Sequence, residues 1–435
     1  MYLSAVTTCA KNFGRGKYKG LALALPIACF GLSGMWQSQI GSQLLYERGQ
    51  GGEKGDVDVH RFFLFLGILL LVTGVIGFFA LRIVGEEELI DEAVEELEAS
   101  GLLEDSAFFT RSVSNGNGQP TGYGTLPTDA DRRLSAEDVD DLHKKADEHK
   151  VWLEEQERKK QWLLNTETKH FLSDPTMWWL TAGFFLATGP GEAFINNLGT
   201  IIGTLYPPGY PNPPTDTDAP PMTSPATHVS IVAITSTLAR ILTGTLTDLL
   251  APSSVPGQHR RNPTSMTTSL TSLPPPIPES RRLEVSRITF LLVFSLLMSI
   301  GQIVLASGAL QGHGDKFWIV SALMGSGYGA VFSLVPIVVS VVWGVENFGT
   351  NWGIVAVSPA LGATIWGLVY SGVYQNAADA QTKVVSGSSE DVLCYGAMCY
   401  APTFWAMAVF VWLACGLWIW AWRGPGGWRS RGIAV

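Results

Sequence analysis

The sequence predicts an all-α, polytopic membrane protein, and three observations support this fold class. Only 15% of the 435 residues are charged, whereas about a quarter is usual in soluble domains. Hydrophobic residues make up 46% of the chain. They are concentrated in runs long enough for helices that cross a bilayer, since such a helix needs roughly 20 residues. We therefore expect the lipid bilayer to surround most of the chain.

The N-terminal region, residues 1–84, contains two of these runs. Leu21 to Leu45 is rich in glycine and alanine, and Gly31 and Gly34 would permit close contact with another helix. Phe62 to Val84 is apolar throughout and is expected to face lipid. The residues between the two runs are expected to form a short, slightly acidic loop, Tyr46 to His60.

A long polar segment, residues 85–174, follows and is predicted to be a cytosolic loop that is partly disordered. Its stretch EEELIDEAVEELEASGLLED is typical of an acidic amphipathic helix. Residues 108–132 are rich in Ser, Gly, Asn and Thr, which favours disorder. A second helix is expected from Ser135 to Thr166. A solvated linker is the simpler interpretation of both helices, and binding of a partner protein is the alternative.

A third apolar run, Met177 to Tyr206, opens the C-terminal domain that we assign to residues 175–435. In its middle lie Gly189, Pro190 and Gly191. Proline has no amide hydrogen to donate to the preceding turn, so the helix is expected to kink or open there. A broken span of this kind is typical of transport pathways.

Polar side chains follow one face of this run. At about 100° per residue, four of them share a helix face: Thr181, Thr188, Glu192 and Asn196. A carboxylate near the middle of a membrane costs about 2.5–3.5 kcal/mol on insertion scales, and such groups usually face a bundle interior or a watery cavity. The residues predicted to line a solute or proton pathway are Thr188, Glu192, Asn196 and Asn197.

Further apolar runs bring the predicted number of spans to eight: His228–Leu250, Ile288–Ser307, Phe317–Trp343, Trp352–Tyr374 and Phe404–Trp422. One of these spans contains Gly325, Gly327 and Gly329. A nucleotide-binding loop is a poor interpretation of this glycine pattern, because no strand precedes it. Close packing of helices is the better one.

The distribution of lysine and arginine predicts the orientation of the chain. Loops rich in these residues usually face the cytosol, and here they alternate with loops that have few cations. Both termini and the long polar segment are then cytosolic. The loop that holds Cys394 and Cys399 lies on the opposite side, where a disulfide can form. The sequence leaves this bond open, because it would close only a small loop.

A short motif near the end of one span indicates a possible cytosolic gate. Arg240, Gly244 and Asp248 lie in ARILTGTLTD, whose G-x-L-x-D spacing resembles a loop motif of the major facilitator superfamily. An aspartate at the end of a span can pair with an arginine or cap the N-terminus of a neighbouring helix. Such a contact would hold a cytosolic gate shut. The alternative is that Arg240 and Asp248 only anchor the span at the membrane interface.

A wider resemblance extends over most of the chain and rests on four stretches: TCAKNF (residues 8–13), GLSG (31–34), GEAFINNLG (191–199) and ENFGTNWG (346–353). On these, the chain resembles the fungal monocarboxylate-transporter-homologue branch of the major facilitator superfamily, which is related to nodulin-like transporters. The family implies two six-helix bundles with a site between them, alternating access and, for this branch, the vacuolar membrane. The plasma membrane is the alternative location. The resemblance does not settle the substrate.

The same resemblance implies that the chain is shortened at its N-terminus. TCAKNF corresponds to the end of the fourth of twelve helices, so Leu21–Leu45 would be the fifth and Phe62–Val84 the sixth. We therefore expect a complete C-terminal six-helix bundle together with the last two helices of the N-terminal bundle.

These features predict a secondary active or facilitated transporter of a small organic solute. Glu192 could couple transport to protons, or it could be a structural carboxyl group hydrogen-bonded between helices. Asn196 and Asn197 could likewise contact solute or only hold helices together. One alternative is a non-transporting sensor or scaffold that acts through residues 85–174, and another is a non-functional truncated carrier. Enzymatic activity, cofactors, metals and nucleic-acid partners are not expected, because the sequence contains no nucleophile motif, metal-binding cluster or phosphate loop.

Overall fold

A computed structural model describes residues 2–14, 16, 18–48, 54–83, 166–207, 222–251, 284–384 and 394–435. The chain divides into two compact units, one formed by residues 1–81 with 168–435 and the other by residues 82–167. The predicted helices and disorder of the long polar segment fall outside the described residues. Residues 168–174, which the sequence assigns to that segment, belong to the larger unit, and this unit is described below.

Seven of the described helices are long and apolar enough to cross a membrane, which confirms the prediction of an all-α polytopic membrane protein. They are Lys19–Gln43, Val59–Ala80, Pro225–Leu250, Arg287–Ala306, Gly314–Trp343, Phe348–Gln381 and Ala401–Arg423. The helix that contains Glu192 is not among them, although its 22 residues extend over about 33 Å. Its many tryptophan, threonine, glycine and proline residues lower its mean hydropathy. This helix corresponds to the third predicted span, Met177–Tyr206, which its mean hydropathy alone does not support.

The N-terminal region forms three helices, α1 (Tyr2–Phe13), α2 (Lys19–Gln43) and α3 (Val59–Ala80). α1 buries Val6 and Ala10 and packs against α2. α3 has no buried residue, as expected for a helix that faces lipid.

The loop between α2 and α3 contains a short β-hairpin that the sequence does not predict. β1 (Tyr46–Arg48) pairs antiparallel with β2 (Lys54–Val57). Asp58 follows, and its carboxylate accepts a hydrogen bond from the Arg61 backbone nitrogen at 3.0 Å, which caps α3. Strands of three and four residues are too short to show an alternating apolar pattern, so the hairpin is not visible in the sequence.

The C-terminal region packs its helices around a central one. In chain order the helices are α4 (Pro175–Asn196), α5 (Leu198–Thr204), α6 (Pro225–Leu250), α7 (Arg287–Ala306), α8 (Trp318–Trp343), α9 (Phe348–Val355), α10 (Ser358–Val384) and α11 (Ala401–Arg423). α8 is the most buried of the candidate spans and contacts α4, α6 and α7. α4 packs against α10 and α11, and α2 packs along α6. The predicted span Trp352–Tyr374 is divided between α9 and α10.

α4 is helical throughout Gly189, Pro190 and Gly191, so the helix does not open at these residues, and this part of the prediction is corrected. The interruption falls later, at Asn197, between α4 and α5. The glycines permit close packing instead, since a Cβ on Gly189 would lie 2.8 Å from the Cα of Gly362 on α10. A proline removes one hydrogen bond from a helix, and helices packed beside it can keep the helix closed.

The glycines of α8 lie at its contacts with two neighbouring helices. A Cβ on Gly325 would lie 2.3 Å from Thr235 Oγ1 of α6, and Gly329 meets the same helix. A Cβ on Gly327 would lie 2.4 Å from the Met298 Cβ of α7. Real Cβ atoms essentially never approach other atoms this closely, so the helices can meet only because these residues are glycines. The predicted packing role is confirmed.

We expect Gly327→Ala to destabilise the fold by on the order of 1–3 kcal/mol, the usual cost of overpacking a close contact. The new methyl group would meet the Met298 Cβ and the Phe294 carbonyl oxygen, neither of which can rotate away. Gly416→Ala in α11 is the matched control, because no atom lies within 4 Å of a Cβ there. Thermal unfolding of the purified variants measures the effect. Equal melting temperatures for the two variants would contradict this packing role.

Glycines also bring α2 and α6 together. A Cβ on Gly244 would lie 2.9 Å from the Gly20 carbonyl oxygen, and one on Gly31 would overlap the Arg240 guanidinium. Gly31 therefore makes the close contact expected of it. No atom lies within 4 Å of a Cβ on Gly34, so the same expectation is not met there.

Candidate functional site

A buried arginine lies where α2 and α6 meet. Arg240 on α6 is 3% exposed, and its Nη1 donates a hydrogen bond to the Ile27 carbonyl oxygen of α2 at 2.6 Å. Gly31 leaves the space that the guanidinium occupies. A buried charge is tolerated only when polar groups surround it, and the Ile27 carbonyl supplies one of them. The Arg240 guanidinium therefore lies between two helices and not on an exposed face of α6.

The carboxyl group of Glu192 on α4 faces the same place. The Tyr328 hydroxyl of α8 donates a hydrogen bond to Glu192 Oε1. The Tyr328 ring centre lies 6.0 Å from Arg240 Cζ, and Glu192 interacts electrostatically with Arg240. Gly191 makes this approach possible, because a Cβ there would lie 2.5 Å from Tyr328 Cδ2. Three helices thus join an acid, a phenol and a guanidinium, which we call the central cluster (Glu192, Arg240 and Tyr328).

Tyr328 is a member of the central cluster that sequence reasoning missed. It lies between Gly327 and Gly329, and the glycine pattern directed attention to packing alone. A buried tyrosine hydroxyl usually finds a hydrogen-bond partner, so a tyrosine inside an apolar span could have been recognised as a candidate. The ring centre of Phe332, one turn later, lies 5.9 Å from Arg240 Cζ and adds a second aromatic ring beside the cluster.

The other polar residues of the predicted pathway make their hydrogen bonds within their own helix. The Thr188 hydroxyl donates to a carbonyl oxygen one turn earlier at 2.6 Å, and Asn197 Nδ2 does the same at 2.8 Å. Thr181 donates to a methionine sulfur of α4 at 3.3 Å. Asn196 is exposed. Of the predicted stripe, Glu192 is therefore the residue that joins the central cluster.

Unpartnered polar atoms extend the polar region toward α1 and α9. Trp352 on α9 is fully buried, and its ring centre lies 5.7 Å from that of Phe184 on α4. Trp352 Nε1 and Asn351 Oδ1 have no hydrogen-bond partner among the described residues. The Tyr2 hydroxyl makes no hydrogen bond of regular geometry either, but it lies close enough to Trp352 for these two side chains to be each other's partners. Buried polar atoms without partners are uncommon in proteins, so Asn351 Oδ1 is the candidate here for contact with a solute.

Asp248, the acid of the predicted gate, caps a neighbouring helix. Its Oδ1 accepts a hydrogen bond from the Gly20 backbone nitrogen at 2.7 Å, and its Oδ2 accepts one from Leu21 at 2.8 Å. Both nitrogens belong to the first turn of α2, where amides lack partners within the helix. Arg240 takes no part in this contact, because it lies about 12 Å away along the axis of α6. Gly244, the third residue of the predicted gate, lies at the packing contact with Gly20.

A second carboxylate, Asp174, lies at the N-terminal end of α4. Its Oδ1 accepts a hydrogen bond from the Thr176 backbone nitrogen at 2.9 Å. Its Oδ2 accepts one from Trp343 Nε1 at 3.1 Å and one from Arg431 Nη1 at 2.7 Å. Burial alone would raise the pKa of Asp174, but the hydrogen bonds from Arg431 and Thr176 outweigh it and hold the pKa below its usual range.

This lowered pKa predicts how the binding of the segment around Arg431 to the start of α4 depends on pH. A carboxyl group with a depressed pKa stabilises the docked form above its free pKa, about 3.9, and loses this effect as the pH falls through the lower, docked value. Protection of residues 424–435 from hydrogen exchange should therefore stay constant from about pH 5 to pH 8 and fall only below about pH 4. In Asp174→Asn, protection should be weaker at neutral pH. A transition near neutral pH in the unaltered chain would contradict this assignment.

Cys394 and Cys399 form a disulfide at the opposite end of the helices. The loop that it closes is tied to α5, because the Gly396 backbone nitrogen donates to the Thr204 carbonyl oxygen at 3.0 Å. Gln311 Nε2 donates to the same carbonyl oxygen at 2.8 Å. The C-terminal end of α5 is thereby covered by two other loops.

No protein-family model matches the chain. Similar proteins occur in fungi. The probable transporter mch1 of Neurospora crassa is 55% identical over 441 residues, which cover 100% of this chain and 70% of the relative. The probable transporter MCH1 of Gibberella zeae is 48% identical over 439 residues, with 100% and 70% covered. A more distant relative, the probable transporter MCH1 of Candida albicans, is 26% identical over 416 residues, with 96% and 68% covered.

Proposed function

The chain belongs to the fungal family of probable MCH1 transporters, and we propose that it moves a small organic solute across a membrane by alternating access. In this proposal α4 to α11 form the C-terminal six-helix bundle of a major facilitator, with α4 and α5 as one span and α9 and α10 as another. α2 and α3 are the last two helices of the N-terminal bundle. The close packing of α2 along α6 supports an interface between the two bundles at this position.

The central cluster is the observation that carries this proposal. Glu192, Arg240 and Tyr328 come from three different helices and lie beside α2. Ionisable groups inside a membrane protein are costly, and they usually belong to solute, ion or proton pathways. Glu192 is the group of the cluster that would bind and release a proton, so proton coupling is part of the proposal.

The proposed orientation puts the end of α6 at Asp248 in the cytosol. The positive-inside rule supports it, because the loops at this end are the ones rich in lysine and arginine. The disulfide of Cys394 and Cys399 would then lie on the non-cytosolic side, where oxidation is permitted. For a location in the vacuolar membrane, the support is the family resemblance.

Reconstitution of the full chain into proteoliposomes tests the function. At least one solute from a panel of radiolabelled organic acids, amino acids and sugars should accumulate when an inward proton gradient is applied. Deleting residues 85–165 distinguishes the sensor or scaffold alternative: flux should remain, because the central cluster lies outside that segment. Failure of the whole panel, with the helical fold intact, would contradict a transport function.

We expect Asp248→Ala to open the proposed cytosolic gate. The change removes two charge-assisted hydrogen bonds to α2, and loss of such a bond costs about 1.5–3 kcal/mol. The ratio of open to closed molecules should rise by about tenfold or more. Spin labels on the exposed positions Leu25 and Leu249, one on each side of the contact, report the distance between α2 and α6.

Glu284→Ala is the control for Asp248→Ala, because Glu284 is an exposed carboxylate just before the start of α7. Its distance distribution should equal that of the parent chain. An Asp248→Ala chain with the parent distribution would show that this contact is not a gate.

A further inference from the structure

We propose that the C-terminal segment Gly424–Val435 is a strap that keeps the contact between Asp248 and α2 closed, with Arg287 as the connecting residue. The proposal rests on the gate described under the proposed function and adds to it an element that controls its opening. We call this segment the strap.

One part of the strap is bound to the start of α4. Arg431 Nη1 donates to Asp174 Oδ2 at 2.7 Å, and its Nη2 donates to Thr176 Oγ1 at 2.6 Å. Trp428 Nε1 donates to the same Thr176 hydroxyl oxygen at 2.9 Å, and the Trp428 side chain is fully buried. Its ring centre lies 6.2 Å from that of Trp343, the last residue of α8. The strap thus joins the start of α4 to the end of α8.

The last residues of the strap are bound to the start of α7. Ser286 Oγ donates to a Val435 oxygen at 2.6 Å, and Arg287 Nη1 donates to the Ala434 carbonyl oxygen at 3.4 Å. Arg287 is 2% exposed, and its Nε has no partner among the described residues. The position of this buried guanidinium therefore depends on the strap.

Arg287 connects the strap to the gate. Val285, two residues before it, donates its backbone N–H to the Leu250 carbonyl oxygen at 2.8 Å, which places the start of α7 beside the end of α6 that carries Asp248. The positive charge of Arg287 there attracts the Asp248 carboxylate, as does that of Lys19 at the start of α2. The Asp248 carboxylate in turn holds the backbone nitrogens of Gly20 and Leu21. A positive charge held near the carboxylate attracts it and so favours its present position, in which it caps α2. Contiguous contacts of this kind can carry energetic coupling between two sites.

The direction of the effect follows from these contacts. When the strap leaves, Arg287 loses the Ala434 carbonyl and gains access to water. It then attracts Asp248 less strongly, because charges exposed to water are screened. The closed contact between Asp248 and α2 is weakened, and the open form becomes more populated.

The test uses the full chain in lipid nanodiscs with spin labels at Leu25 and Leu249, and with serine in place of the free cysteines Cys9, Cys29 and Cys415. Arg431→Met should raise the ratio of long to short label distances by about fivefold or more. Arg429→Met is the matched control: it removes the same charge from an exposed side chain of the strap and should leave the ratio at the parent value.

Equal distributions for Arg431→Met and Arg429→Met would overturn the proposal. Trp428→Phe removes the indole hydrogen bond to Thr176 together with part of a buried ring, so it weakens the strap and must shift the ratio in the same direction. It serves as the test if Arg431→Met does not insert. In addition, Arg287→Met should open the gate. The double variant Arg287→Met/Arg431→Met should shift the distance ratio little further than either single variant. A shift equal to the sum of the two single effects would exclude Arg287 as the connection.

The same labels separate a failure of the strap from a failure of the gate. If Asp248→Ala leaves the distances unchanged, the proposed gate is refuted and the strap has nothing to control. If Asp248→Ala opens the contact but the strap variants do not, the gate stands and the strap is refuted.

Discussion

Replacing Glu192 by glutamine is expected to abolish proton-coupled uptake, while the chain still inserts into the membrane. Glutamine has nearly the same volume, and its amide oxygen can still accept the hydrogen bond from Tyr328. It cannot bind and release a proton, which is what coupling requires. Uptake of the transported solute under an inward proton gradient should therefore fall to the rate measured without a gradient. Proteoliposomes with and without the gradient provide the measurement.

Glu284→Gln is the matched control for this substitution, because it makes the same chemical change at an exposed carboxylate. It should keep gradient-driven uptake at the parent rate. Exchange of labelled for unlabelled solute should persist in Glu192→Gln if the residue carries only the proton. Unchanged gradient-driven uptake in Glu192→Gln would exclude coupling and would favour a structural carboxyl group held by Tyr328.

Replacing Arg240 by methionine is expected to impair both uptake and exchange. Arg240 is the buried cation of the central cluster, and it also holds the Ile27 carbonyl oxygen of α2. A hydrogen bond to a charged group is worth about 1.5–3 kcal/mol, so apparent affinity for the solute should fall by about 10- to 150-fold if Arg240 contacts it. Methionine keeps an unbranched apolar stem in the space beside Gly31, which limits the effect on packing.

Two further variants show whether charge or geometry matters at this position. Arg240→Lys keeps the charge but loses the planar fork of donors, so it should recover only part of the affinity. Arg423→Met removes an exposed arginine at the end of α11 and should leave affinity unchanged. Parent affinity in Arg240→Met would remove Arg240 from the proposed solute site.

The sequence predicts the helices well because a bilayer makes a demand that a single chain segment can satisfy by itself. Each span must be long and apolar, and this requirement does not depend on its neighbours. The predicted span His228–Leu250 thus ends at the same residue as α6 (Pro225–Leu250). The helix at Pro190 shows the limit of this reasoning. A rule based on local sequence predicts that the helix opens at a proline, but α4 packs against α10 at this point and remains helical.

The site could be predicted only in part, and the two acids show why. The sequence indicates Glu192, because a carboxylate within an apolar run is unusual. It indicates Asp248 through its motif, but the partners of Asp248 are the backbone nitrogens of Gly20 and Leu21. Backbone atoms occur at every position, so no residue type in the sequence points to them.

The sequence by itself determined that the chain is a helical membrane protein, where most of its spans lie, and that Glu192 belongs to a polar helix face. The tertiary structure alone decided that Arg240 and Tyr328 join Glu192, that Asp248 caps α2, and that Arg431 is bound to Asp174. The physical reason is the range of the interactions. Hydrophobicity is a sum over neighbouring residues, whereas a hydrogen bond or an ion pair needs two groups within a few ångströms, and in this chain those groups come from distant segments that only folding brings together.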